Sequence, residues 1–105
     1  MAIKVLITRK FKPSGVKEAH KLMMELRSLV TVRPGYVSGE TLFAADDPHK
    51  MVVISTWINR KLWSEWRTSN KRKEYLDKLG PLMESPEKYE VFLAGEKEPE
   101  WVHMA

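Results

Sequence analysis

The stretch MVVISTWINRKLWSEWRTSNKRKEYLDKLGPLM, residues 51–83, changes its period partway along. Its first seven residues, Met51 to Trp57, are β-branched or apolar almost throughout, which predicts a strand covered on both faces. At Asn59 the apolar spacing passes from two to about 3.6. Asn59 is suited to cap the helix that follows, because its side-chain oxygen can accept from the free amides of a first turn. Leu62, Trp63 and Trp66 then share one helix face. A second helix follows from about Asn70, with Tyr75, Leu76 and Leu79 inward, and Gly80-Pro81 stops it. Three tryptophans fall within ten residues where a strand feeds a helix, and the candidate binding site is placed there.

Working outward, residues 3–11 read as a first strand with Ile3, Val5, Ile7 and Phe11 on one face. Arg9 shares that apolar face, either snorkelling from the strand end or standing as a charged group at a pocket rim. Lys12-Pro13-Ser14-Gly15 is turn chemistry, with Ser14 as N-cap of a first helix that runs to about Val32. Its stripe is Val16, Ala19, Met23, Leu26 and Val30, with His20 at the edge as a packed or surface residue. Tyr36 to Ala45 is a second strand, in which Gly39 marks a bulge or a close backbone approach. A polar connection, Asp46 to Lys50, joins it to the third strand as a hairpin. Asp46, Asp47 and His49 lie in that turn without supporting ligand spacing elsewhere, so no metal site is expected. Tyr89, Val91 and Leu93 alternate along a fourth strand. Residues 1–95 form one domain, and 96–105 a C-terminal tail whose Trp101 is expected to dock on the domain or on a partner subunit.

A chain of 105 residues with a formal charge of +4 is long enough for one core. The absence of cysteine excludes internal disulfides and cysteine nucleophiles. Basic residues concentrate between Arg60 and Lys78, but Glu65, Glu74 and Asp77 interrupt them. They read as a solvated face, not as a nucleic-acid site. No run has the length of a membrane span and the N-terminus does not read as a signal peptide, so a cytoplasmic protein is expected.

The order β-α-β-β-α-(α)-β is that of a ferredoxin-like α+β fold with a four-stranded antiparallel sheet. Helices cover one sheet face. Large residues on the other face of strands one to three predict a homodimer with its two sheets face to face, a dimeric α+β barrel.

The hairpin PGYVSGETLFAADDPHKMVVISTW, followed by INRKLWSEWRTSNKRKEY and closing PEKYEVFLA, resembles the antibiotic biosynthesis monooxygenase family. The resemblance runs from about Ile3 to Ala94. It implies a dimeric barrel with a pocket between sheet and helices in each subunit. It also implies oxygenation of aromatic phenols or quinols without metal or flavin. In the polyketide-oxygenating branch an asparagine and a tryptophan stand four residues apart on the corresponding helix. Asn59 and Trp63 have that spacing, so the resemblance marks them as catalytic candidates. A branch that degrades haem uses a histidine at the position of Leu76 here and an asparagine at that of Thr8. Haem ligation of that kind is not expected.

No cofactor is therefore expected, and the ligand is a small aromatic molecule. Its slot is expected between the sheet and the second helix, the one that carries Trp63 and Trp66. Trp63, Trp66 and Tyr75 would wall it, with Asn59 and Arg9 near the mouth and Arg9 as counter-charge to a phenolate. Two functions fit: a cofactor-free monooxygenase, and a non-catalytic dimeric protein that binds an apolar aromatic ligand. The residues do not choose between them.

Overall fold

The computed structural model describes residues 1–94, so Trp101 and the tail fall outside the described residues. Strand β1 (Ile3–Lys10) leads through a 3₁₀ turn at Pro13–Gly15 into α1 (Val16–Val30). Strands β2 (Tyr36–Ala44) and β3 (Asp47–Trp57) form a hairpin. Helices α2 (Arg60–Arg67) and α3 (Asn70–Leu79), a second 3₁₀ turn at Gly80–Leu82 and β4 (Lys88–Leu93) complete the order. The sheet runs β2-β3-β1-β4 with every pairing antiparallel. This is the ferredoxin-like arrangement expected from the order of elements. Among the described residues no helix is long and apolar enough to cross a membrane.

Alternation along β1 divides the residues between two faces. Ile3, Val5, Ile7 and Arg9 are buried toward the helices. Lys4, Leu6, Thr8 and Lys10 point the other way, opposite Thr56, Ile54, Val52 and Lys50 of β3. The core gathers on the helix side around Trp57, Trp63, Trp66, Leu22, Leu26 and Leu79. A buried tryptophan removes roughly 150–250 Å² from water, about 4–6 kcal/mol each at ~25 cal/mol/Å². Trp63 meets Trp57 and Tyr89 at centroid distances of 5.8 Å, while Tyr36 stands edge-on to Trp57 at 5.5 Å.

Three local readings change. Ser14 lies inside the first 3₁₀ turn, and α1 begins after Gly15, which occupies the N-cap without a side-chain bond. Pro13 at the start of that turn, with Gly15 N donating to Lys12 O at 2.9 Å, delays the helix. The same helix ends at Val30, two residues early, because Thr31 caps it and Arg33 N donates back to Val30 O. The hairpin turn is only Ala45-Asp46, and Asp47 to Lys50 belong to β3. A register shift between Phe43 and Ala44 accommodates Pro48, and the Asp47 carboxylate accepts from His49 N at 3.1 Å.

Two glycines are required by close approach. At Gly39 an added Cβ would collide with the Tyr36 hydroxyl, beside the register shift between Tyr36 and Ser38. Gly35 has φ 85°, its carbonyl accepts from Ile58 N at 2.8 Å, and a Cβ there would fall 2.7 Å from Leu62 Cβ. Gly35→Ala therefore combines a left-handed backbone cost with displacement of α2. It should lower stability by about 2 kcal/mol, read as the shift in urea midpoint at unchanged slope.

Candidate active site

Between α1 and the sheet lies a cavity of about 340 Å³. Its sheet wall is apolar, with Ile7, Met51, Val53 and Trp57, and its helix wall is Val16, Met23, Leu26 and Val30 of α1. Trp63 and Trp66 close one end from α2. Exposed lining residues, His20, Met24, Arg27, Phe43 and Pro48, mark its opening. The helix opposite the sheet is thus α1 and not α2. The short α2 buries both its tryptophans in the core, Trp63 against Trp57 of β3 and Tyr89 of β4, and so fills the space that a pocket there would need.

Two of the polar side chains that line the cavity are buried charges. Arg9 is 3% exposed and Arg72 3%, and both line it. Glu87 lies between them. Its Oε2 accepts from Arg9 Nε at 2.8 Å and pairs with Arg9 Nη2 at 2.7 Å, while Oε1 accepts from Arg72 Nη2 at 2.5 Å. One carboxylate against two guanidiniums leaves a surplus positive charge in an apolar enclosure. Burial pushes the Arg9 guanidinium below its ordinary value. Glu87 opposes that shift, and the repulsion of Arg72 adds to it. The remaining edge of Arg9, at Nη1, donates to the Met23 thioether at 3.5 Å, its one acceptor among the described residues.

Local structure explains why these three residues meet. Arg9 belongs to the inward register of β1. Arg72 enters from the first turn of α3, where the Ser69 hydroxyl caps the helix by accepting from Arg72 N at 3.2 Å. Glu87 is brought back by the segment before β4. Phe11 bridges Met83, Lys12 N donates to Leu82 O at 2.8 Å, and Glu84 N donates to Lys10 O at 2.9 Å. Arg72 also lies over the Trp63 ring at 5.5 Å, and Arg33 over Trp66 at 5.1 Å, so each tryptophan of the cavity end carries a stacked cation.

Arg9, Trp63 and Trp66 come together on the cavity; Asn59 and Tyr75 are elsewhere. Asn59 caps α2, its side-chain oxygen accepting from Leu62 N at 2.9 Å. Tyr75 faces α1, where its hydroxyl donates to Glu25 at 3.2 Å, and burial, with Glu25 beside it, pushes its pKa up. Thr8 is on the opposite sheet face, against Val52. Trp57, one of the three tryptophans at which the sequence places the site, lines the cavity, whereas the sequence does not single out Arg72, Glu87, His20 and His49 there. Arg72 reads in sequence as part of a basic run, and Glu87 as part of a loop. Among the described residues no cluster of three metal-ligating side chains forms.

Residues 2–78 match the family model described as antibiotic biosynthesis monooxygenase. A search of curated proteins gives no match. Solved structures share the fold. A conserved protein from Methanosarcina mazei Go1 is 17% identical with TM-score 0.82, over 88% of this chain and 91% of that one. Rv0793 from Mycobacterium tuberculosis is 17% identical with TM-score 0.83, over 94% and 100%. SnoaB, a cofactor-independent oxygenase from Streptomyces nogalater, is 14% identical with TM-score 0.79, over 93% and 97%.

The ion-pair cluster gives a sharp expectation. Glu87→Gln keeps the shape but leaves two buried guanidiniums without a counter-ion, which should cost about 3–5 kcal/mol in chemical denaturation. A loss under 1 kcal/mol would mean that water reaches the cluster far more freely than its burial implies.

Proposed function

The chain belongs to the antibiotic biosynthesis monooxygenase family, and from that footing we propose that it is a cofactor-independent monooxygenase of a small planar phenol or quinol. The observation that carries the reading is the cavity itself: an apolar, tryptophan-ended space whose polar content includes the net-positive Arg9–Glu87–Arg72 cluster. Aromatic walls favour a flat ring, and the surplus charge favours its phenolate.

The reaction that suits this site begins with loss of the phenol proton. The phenolate, electron-rich at its para carbon, gives one electron to dioxygen, and the two radicals join at that carbon. The resulting hydroperoxide breaks its O–O bond. One oxygen stays as a carbonyl and the other leaves as water with two hydrogens from the substrate, so phenol plus dioxygen gives quinone plus water. The protein's part is to hold the ring, exclude water and stabilise the anion; no metal or flavin is needed for the electron count. Arg9 Nη1 and Arg72 have donors left over from Glu87 for the ring oxygen. His20 and His49 also line the cavity and would pass the proton toward solvent.

A homodimer completes the proposal. On the sheet face away from the helices, Leu6, Val52 and Ile54 form an apolar centre, flanked by the half-exposed Leu42 and Phe92 and fringed by Lys4, Lys10, Lys50 and Glu40. Two such faces packed together would bury it without touching the cavity. Ile54→Lys should convert the dimer to a monomer in sedimentation. A wild-type monomer at micromolar concentration would refute the assembly.

Oxygen uptake with a hydroxyanthrone or a hydroquinone tests the activity. Uptake should occur without added metal or flavin, and Arg9→Gln should raise the apparent pKa of a bound phenol by about one unit, the loss of roughly 1.4 kcal/mol of preference for the anion. Tight binding without uptake by either substrate class would instead favour the non-catalytic binding protein.

A further inference from the structure

We propose that Met23 is a modification site for hydroperoxides, and that its sulfoxide closes the positive end of the cavity by capturing Arg9. The source of oxidant rests on the oxygenase reading, in which a substrate hydroperoxide forms beside this side chain; the chemistry at Met23 does not.

Met23 projects from α1 into the cavity and its Sδ lies 3.5 Å from Arg9 Nη1. Arg9 spends Nε and Nη2 on Glu87, so the thioether occupies the edge that Glu87 leaves open. A thioether is a weak acceptor, and among the described residues that edge of the buried guanidinium has no oxygen partner. In the reaction the sulfur lone pair attacks the distal oxygen of a hydroperoxide. The O–O bond breaks as the S–O bond forms, sulfur loses two electrons, and the proton of the distal oxygen passes to the departing oxygen, which leaves as the alcohol. Negative charge builds on that departing oxygen, and the Arg9 N–H beside the sulfur stabilises it, which favours this methionine over one in neutral surroundings.

The product reverses the local hydrogen bonding. A sulfoxide oxygen is a strong acceptor, and a bond to it from Arg9 is charge-assisted. Glu87 would then hold one edge of Arg9 and the sulfoxide would engage Nη1 on the other, in competition with a substrate anion for that nitrogen. Reduction of the sulfoxide restores the site, so the change is reversible. Met23 stands on the helix side of the sheet, away from the face assigned to the dimer. Its neighbour Met24, at the cavity's opening and 54% exposed, provides an internal standard for a methionine that solvent reaches directly.

The experiment treats the intact protein with tert-butyl hydroperoxide, locates added oxygen by peptide mass spectrometry, and measures affinity for 4-nitrophenol. Met23 should be oxidised alongside Met24, and Arg9→Gln should slow Met23 relative to Met24 by about tenfold, the worth of one charged hydrogen bond. Affinity for 4-nitrophenolate should fall about tenfold on treatment in the wild type and in Met24→Leu, recover with methionine sulfoxide reductases, and not change in Met23→Leu. Met23 left reduced while Met24 is consumed, a rate ratio indifferent to Arg9→Gln, or an equal loss of affinity in Met23→Leu would each overturn the proposal. Failure of the untreated protein to bind 4-nitrophenol would count against the phenol site, while the rate ratio would still decide the fate of Met23.

Discussion

A carboxylate held between two buried guanidiniums joins parts of the chain that are far apart in sequence. Arg9 comes from the first strand, Arg72 from the last helix and Glu87 from the approach to the last strand. Removing any one changes the charge balance of the other two where water cannot compensate, and a domain of this kind is stable by only about 5–15 kcal/mol. The surrounding backbone follows from this constraint. The bridge from Phe11 to Met83 and the Ser69 cap on Arg72 both hold the partners where they meet. The cluster is also where the cavity acquires its charge, so the group that stabilises the fold and the group that faces the ligand are the same.

That double duty explains how the site divides between what the sequence shows and what it hides. Arg9 is legible because a charged residue in the inward register of an apolar strand is conspicuous. Its partners are not. Arg72 is one of seven basic residues between Arg60 and Lys78 that together read as solvated surface, and the Ser69 cap, which accepts from its backbone N, sets its place in the first turn of α3. Glu87 is one acidic residue in a connection, and its role depends on a contact 78 positions away in sequence. Asn59 shows the opposite situation. The residue type and spacing suit both a cap and a catalytic role, and the cap is what its side chain makes.

The fold was more accessible because its signals are repetitive. The alternation of β1 and the shift of period at Asn59 recur over several residues, and each repeat supports the same topology. The differences lie where a single residue decides a boundary. Pro48 reads as a turn residue, yet it is absorbed into β3 by a register shift that no local pattern announces. Pro13 opens a 3₁₀ turn and moves the cap of α1 one residue on, from Ser14 to Gly15. In the same way, the cavity moved from α2 to α1 because two tryptophans on a two-turn helix are large enough to close the gap beneath it.

The contact between Trp57 and Trp63 has an optical consequence. Two indoles with centroids 5.8 Å apart and planes inclined at 59° are close enough for their electronic transitions to mix. Such a pair gives oppositely signed circular dichroism bands whose amplitude depends steeply on separation and angle. Both rings face the cavity, so an aromatic occupant would enter that coupled set and alter its sign pattern. The molecule therefore carries its own chromophoric reporter, which registers ring orientation inside the site without a label.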